Sequence, residues 1–259
     1  MIQEIRIKNY LSFRDEAVLS FEATKDTTFE ECQVVNVTPK VRLLRFALIY
    51  GANGSGKSNL LNAMDFLCGF WFDKKSDIDE ETGVLPFLLD TETPNEPSEF
   101  NIKFFVDDKR YWYTLVLNDK QVIKENLYVY NSVQPSLVFS RELDGTASLI
   151  KLNASLVKAN ATIVEQLNVK CLSNMSFFAA RNQVNCSLAY IDEVRDWMKN
   201  NMMPIIEPGT RMFEYAGKQM EKNAELKAYI LDFVHKADYN ITDVYTEREK
   251  VPIPDFVKT

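Results

Sequence analysis

Two hydrophobic periods divide the chain. Near the N-terminus Ile5 and Ile7, then Val18 to Phe21, alternate with polar residues and predict a hairpin of strands, with Gln33 to Val37 adding another. Phe46-Ala47-Leu48-Ile49-Tyr50 is a continuous apolar run of strand length, and Leu60, Leu61, Met64, Leu67 and Phe70 then recur at helical spacing. Both periods fade over residues 73–98, where Asp77, Asp79, Glu80 and Glu81 cluster and Pro94 and Pro97 follow, so an exposed loop with a solvated acidic run is expected. Alternation returns at Phe100, Ile102, Phe104 and Val106. A turn at Asp107-Asp108-Lys109 leads to Tyr111, Tyr113, Leu115 and Leu117, and Leu127 to Tyr130 and Ser136 to Ser140 continue an antiparallel meander. From about Ala154 the spacing is helical: Leu156, Ile163, Val164 and Leu167 predict one helix, Ile191, Val194, Trp197 and Met198 a second, and Met220 to Ala237 a third, with no internal repeat.

Composition narrows the function classes. The 259 residues are 46% hydrophobic and 26% charged, the mixture of an ordinary globular protein. No apolar stretch reaches the roughly eighteen residues of a membrane span, and Met1-Ile2-Gln3-Glu4-Ile5-Arg6 lacks the form of a signal peptide, so a cytoplasmic protein is expected. A net charge of −7 gives no general attraction for polyanions, although a local basic patch stays open. Cys32, Cys68, Cys171 and Cys186 are widely spaced and only His235 could join them, which argues against structural zinc and against histidine-based nucleophilic catalysis. The many aromatics of the meander read as core and cross-strand pairs before they read as a base-stacking surface.

The candidate chemistry lies between the apolar run and the first long helix. Gly51-Ala52-Asn53-Gly54-Ser55-Gly56-Lys57-Ser58-Asn59 contains G-x-x-x-x-G-K-S in the order strand, loop, helix. Gly51, Gly54 and Gly56 allow successive N–H groups to turn inward around phosphate oxygens at a helix N-terminus. Lys57 would then supply a mobile positive charge to the β and γ phosphates, and Ser58 a hydroxyl ligand for magnesium. ATP and Mg2+ are the expected cofactors, held by residues 51–59.

This loop resembles the Walker A sequence of the ABC-type ATPases of the SMC, RecF and OLD (overcoming lysogenization defect) group. The opening Ile5-Arg6-Ile7-Lys8-Asn9-Tyr10-Leu11-Ser12-Phe13-Arg14 is also similar to that group, whose members begin with a strand ending in an Asn-aromatic-x-Ser-Phe turn. Pro86-Phe87-Leu88-Leu89, Phe177-Phe178-Ala179-Ala180-Arg181-Asn182-Gln183 and Ala237-Asp238-Tyr239-Asn240-Ile241 resemble stretches of bacterial OLD-related AAA ATPases linked to phage defence. The resemblance implies an α/β P-loop NTPase: a nucleotide core over residues 1–72, an exposed acidic loop over 73–98, an antiparallel β subdomain over 99–150 and a helical lid over 151–259. It implies a homodimer or higher homo-oligomer with ATP sandwiched between heads, closing on ATP and opening on hydrolysis to control an effector nuclease or toxin. A RecF-like DNA-repair ATPase binding nucleic acid and a nucleotide-sensing module with little hydrolysis remain alternatives; a membrane transporter subunit does not fit the N-terminal turn.

Two further positions carry candidate roles. Leu188-Ala189-Tyr190-Ile191-Asp192-Glu193 mimics a Walker B strand, but Val194, Trp197 and Met198 continue a helical face through the acidic pair, so a structural helix is the preferred reading. Gln183 is the nearby candidate for the glutamine that, in ABC-type ATPases, senses magnesium and the γ-phosphate; its alternative is a lid glutamine capping a helix. No signature Ser-Gly loop, Walker B strand or switch histidine is recognisable between residue 200 and Thr259, and Val251 to Thr259 reads like a connection. The expectation is therefore the N-terminal half of a longer ATPase, offering the phosphate cradle without the water-activating carboxylate.

Overall fold

Strand-period alternation builds one large sheet. The structure, a computed structural model, describes residues 1–145, 147–203, 205–207, 209–210 and 212–247, so the connection expected over Val251 to Thr259 lies outside the described residues. The chain divides into two units, Met1–Ile205 and Ile206–Thr259.

In the first unit, β1 (Ile2–Lys8) pairs with β2 (Ala17–Ser20) as expected. The meander consists of β5 (Ser98–Val106), β6 (Lys109–Leu117), β7 (Val122–Tyr130), β8 (Ser136–Asp144) and β9 (Ala147–Leu152). All seven strands form one antiparallel sheet in the order β2-β1-β5-β6-β7-β8-β9, with Lys8 opposite Glu99 and Val106 opposite Lys109. The expected turn is a two-residue hairpin in which Asp107 takes a φ of 51°. The N-terminal hairpin thus shares its sheet with the β meander. A separate two-stranded sheet pairs β3 (Val34–Thr38) with β4 (Val41–Leu44), after the short helix α1 (Glu30–Gln33).

Helices cover the apolar face of the large sheet. α2 (Lys57–Phe70), α4 (Phe177–Arg181) and α5 (Ile191–Asn201) bring Trp71, Phe177 and Trp197 against Tyr113, Phe139 and Phe104, with ring centroids 5.8, 4.0 and 4.4 Å apart. α3 (Ala161–Lys170) packs beside β9. Glu125 and Arg141, directly opposite each other in the β7–β8 register, form a fully buried ion pair at 3.1 Å. Glu125 also accepts from the Tyr113 hydroxyl and the Phe177 N–H, while Arg141 donates to Ser148 and to the carbonyls of Leu172, Ser173 and Met175. This network anchors the segment between α3 and α4 to the sheet.

Four expectations need correction. Phe46 to Tyr50 is not a strand: none of its backbone groups is paired among the described residues, and Leu48 and Tyr50 are 69% and 84% exposed. An apolar run supplies the side chains of a buried strand, but a ladder needs a neighbour, and none of the described strands lies beside it. Leu156 precedes α3 instead of belonging to it. In the second unit the helix expected over Met220 to Ala237 is two helices, α6 (Phe213–Lys222) and α7 (Ala224–Lys236). Asn223 leaves helical geometry at φ −135° and its side chain caps α7 by accepting from the Leu226 N–H, a competition with the backbone ladder that asparagine is suited to make. The segment 73–98 is only partly exposed: Asp77 and Asp79 face solvent, whereas Thr82, Val84 and Thr93 are buried.

Candidate functional site

The glycine-rich loop begins where the exposed 46–50 segment ends and closes at the N-terminus of α2. Gly54 and Gly56 have φ of 80° and 87°, in the left-handed region that side chains disfavour. A Cβ at Gly51 would lie 2.6 Å from Ser55 Oγ, and one at Gly56 would lie 2.8 Å from Ser12 Oγ. The loop is therefore as narrow as its glycines allow. No side chain caps α2, and the N–H groups of Gly56, Lys57, Ser58 and Asn59 find no acceptor among the described residues. Four uncommitted donors at a helix N-terminus make a cradle for an anion.

Lys57 lies across this cradle. Its ammonium donates to the carbonyls of Gly51 and Ala52 at 2.8 and 2.7 Å, so the cation is already folded over the loop. Ser58 stands in the first turn of α2, beside the ammonium-bearing residue, where a hydroxyl ligand to a phosphate-bound magnesium ion belongs. The donor set, the space kept by the glycines and the adjacent hydroxyl fit a magnesium–nucleoside polyphosphate.

The turn after β1 is built onto this loop. Asn9 and Leu11 both adopt left-handed conformations, with φ of 51° and 48°. Asn9, fully buried, donates to the carbonyls of Thr93 and Glu96 at 2.8 Å each and accepts from the Phe87 N–H at 2.9 Å. The Leu11 N–H donates to Leu85 O. Pro86-Phe87-Leu88-Leu89 is thereby strapped to the turn, with Leu88 and Leu89 exposed. Tyr10 donates its hydroxyl to Asn62 O in α2; burial, and then the Asp65 carboxylate, push this phenol up to about 12, so it remains a donor. Ser12 accepts from the Asn59 amide at 2.9 Å, and the Phe13 ring lies 3.7 Å from the position of a Gly56 Cβ.

The remaining candidates lie elsewhere. Asp192 and Glu193 occupy the first turn of α5. Asp192 accepts from the Leu188 N–H and pairs with Arg181 at 2.8 Å; Glu193 pairs with Lys109 at 2.8 Å. Lys109 begins β6 at one end of the sheet, whereas the Asn9 turn meets β5 at Ser98, nine residues and about 25–30 Å away along the strand. Among the described residues Gln183 makes no hydrogen bond to the loop. Its amide donates to Ala179 O, and Ser176, at the start of the same short helix, bonds the carbonyl of Trp71 at the far end of α2, about 20 Å from Ser58 by helical rise. The contributions of Asn9 and Ser12 were signalled only by the Asn-Tyr-Leu-Ser-Phe likeness, since neither position carries a spacing rule of its own.

Residues 46–151 match a protein-family model described as "AAA domain, putative AbiEii toxin, Type IV TA system". That region is similar to AAA domains. It runs from the segment before the P-loop, through α2, to the end of the β meander, and with the mixed α/β architecture it supports a P-loop ATPase domain that binds nucleotide. No curated protein matches the chain. Among the described residues no helix is long and apolar enough to cross a membrane, and no group of three His, Cys, Asp or Glu side chains gathers as a metal cluster.

Proposed function

We propose that the chain is the ATP-binding portion of an ABC-type ATPase of the OLD, RecF and SMC-like group, acting in phage defence or a related DNA transaction. The observation that carries the reading is the loop at Gly51 to Ser58, with its free N–H donors, its glycine-kept space and Lys57 folded across the mouth. Its match to a family described by a toxin of a toxin–antitoxin system favours control of a toxic or nucleolytic effector. Gly51, Ala52, Asn53, Gly54, Ser55, Gly56 and Asn59 shape and orient the cradle; Lys57 neutralises phosphate charge; Ser58 holds the magnesium ion. Magnesium, when bound, would withdraw charge from the phosphate oxygens. Two heads closing on nucleotide would form a homodimer, the state that engages the effector.

A second reading, a nucleotide-sensing module with little turnover, is favoured by the position of Asp192 and Glu193 at the opposite end of the sheet from the loop. Calorimetry with MgATP tests the site: Lys57→Ala should weaken binding at least tenfold, and equal affinity in the two proteins would refute the assignment. Turnover of the complete protein separates the two readings, because a switch ATPase hydrolyses ATP at a rate abolished by Lys57→Ala and left near wild type by Glu193→Gln, whereas a sensor binds with negligible turnover.

A further inference from the structure

A leucine in the left-handed region is strained, and such strain persists only where the surroundings impose it. Leu11 is held there by its N–H bond to Leu85 O and by the reciprocal backbone bonds between Tyr10 and Phe13, at 3.0 and 2.8 Å. The result of this conformation is the placement of the next residue. Ser12 Oγ sits against Gly56, at the last position of the loop before α2, so close that a Cβ there would be 2.8 Å away. The Ser12 oxygen accepts from Asn59 Nδ2, and Asn59 Oδ1 in turn accepts from Asn62 Nδ2 at 3.3 Å. With one lone pair committed to Asn59, the hydroxyl hydrogen has no acceptor among the described residues. The side chain is exposed, not packed into the core, so its position serves no burial.

We propose that Ser12 is a phosphate-binding residue of the nucleotide site, its hydroxyl donating alongside the N–H groups of the α2 N-terminus, with Asn59 and the strained Leu11 as the residues that position it. This rests on the reading that the loop binds nucleotide. An added O–H donor to an anionic oxygen raises affinity through the phosphates and not through the base or sugar.

The test is calorimetry on the whole chain with MgATP and with inorganic tripolyphosphate plus magnesium, accompanied by thermal unfolding without ligand. Ser12→Ala should weaken both ligands by a similar factor, about tenfold or more, with the ligand-free midpoint unchanged; Ser12→Thr, which keeps the hydroxyl, should stay within about threefold of wild type. Wild-type affinity in Ser12→Ala, while Lys57→Ala loses binding, would overturn the proposal and leave the loop assignment standing. A loss in Ser12→Ala that Ser12→Thr does not rescue, or that follows a fall in the ligand-free midpoint, would also overturn it and assign Ser12 a role in folding the turn. Absence of binding in the wild type would remove the loop reading itself.

Discussion

Replacing Asn9 by alanine should destabilise the first unit far more than its small volume suggests. The side chain is fully buried and makes two donations, to Thr93 O and Glu96 O, and one acceptance, from Phe87 N, all between 2.8 and 2.9 Å. Alanine leaves these three backbone groups without their partner, at about 1 kcal/mol each. The backbone adds a further cost. Asn9 sits at φ 51°, where asparagine is tolerated and alanine is strained by about 1 kcal/mol. The expected loss is about 4 kcal/mol, or on the order of 10 °C in unfolding midpoint for a chain of this size. Urea unfolding followed by circular dichroism measures it. Asn9→Gly isolates the backbone part, because it removes the same hydrogen bonds and relieves the strain, and should be about 1 kcal/mol more stable than Asn9→Ala. A loss below about 1 kcal/mol in Asn9→Ala would refute the view that this side chain ties the 85–97 segment to the loop-bearing turn.

Other perturbations follow from named contacts. Arg141→Met removes the counter-charge of Glu125 and the donor shared by three carbonyls, and should cost about 3–5 kcal/mol in urea unfolding, whereas the double variant Arg141→Met, Glu125→Leu should recover part of that loss. The Arg6 hydrogen bond, aided by Lys103, holds the Glu4 carboxyl down at about 2. Its contribution is therefore complete above the unfolded value near 4.5 and lost as pH falls towards 2, so wild type should be more stable than Glu4→Gln at pH 7 and the gap should close by pH 2 in thermal scans.

The nucleotide loop and the meander were the most legible parts of the sequence because each is specified by a strict spacing. The G-x-x-x-x-G-K-S run has few alternatives, and the period of two over Phe100 to Leu117 places every second residue on the buried face. The strand that the apolar run Phe46 to Tyr50 predicts does not form, because hydrophobicity reports a tendency to burial and not the presence of a neighbouring strand. The break at Asn223 was hidden by apolar residues that continue at helical spacing on both sides, so a single local capping bond decided the structure. Strand β9 ends just before the helical spacing that starts at Ala154, and its buried positions are only Ser148 and Ile150, too few apolar residues to show a period of two. The buried Glu125–Arg141 pair has only a faint sequence signal: each residue shares its strand face with apolar neighbours, Leu127 and Val129 for one and Phe139 for the other. Opposite charges on the apolar faces of two successive strands were the available signal.

The strand order has a consequence for how the site comes into being. From β5 to β9 every strand pairs with its neighbour in sequence, so the meander can assemble from short hairpins with little loop-closure entropy. The β1–β5 contact is different: Lys8 and Glu99, which face each other across it, are 91 positions apart, and the glycine loop and α2 lie wholly within that interval. Until β1 reaches β5, Asn9 has no Thr93 or Glu96 to hold and Ser12 has no fixed place beside Gly56. The nucleotide loop thus depends on this long-range closure for its geometry, and a chain in which β1 has not joined β5 would lack the Asn9 and Ser12 contacts that shape the cradle.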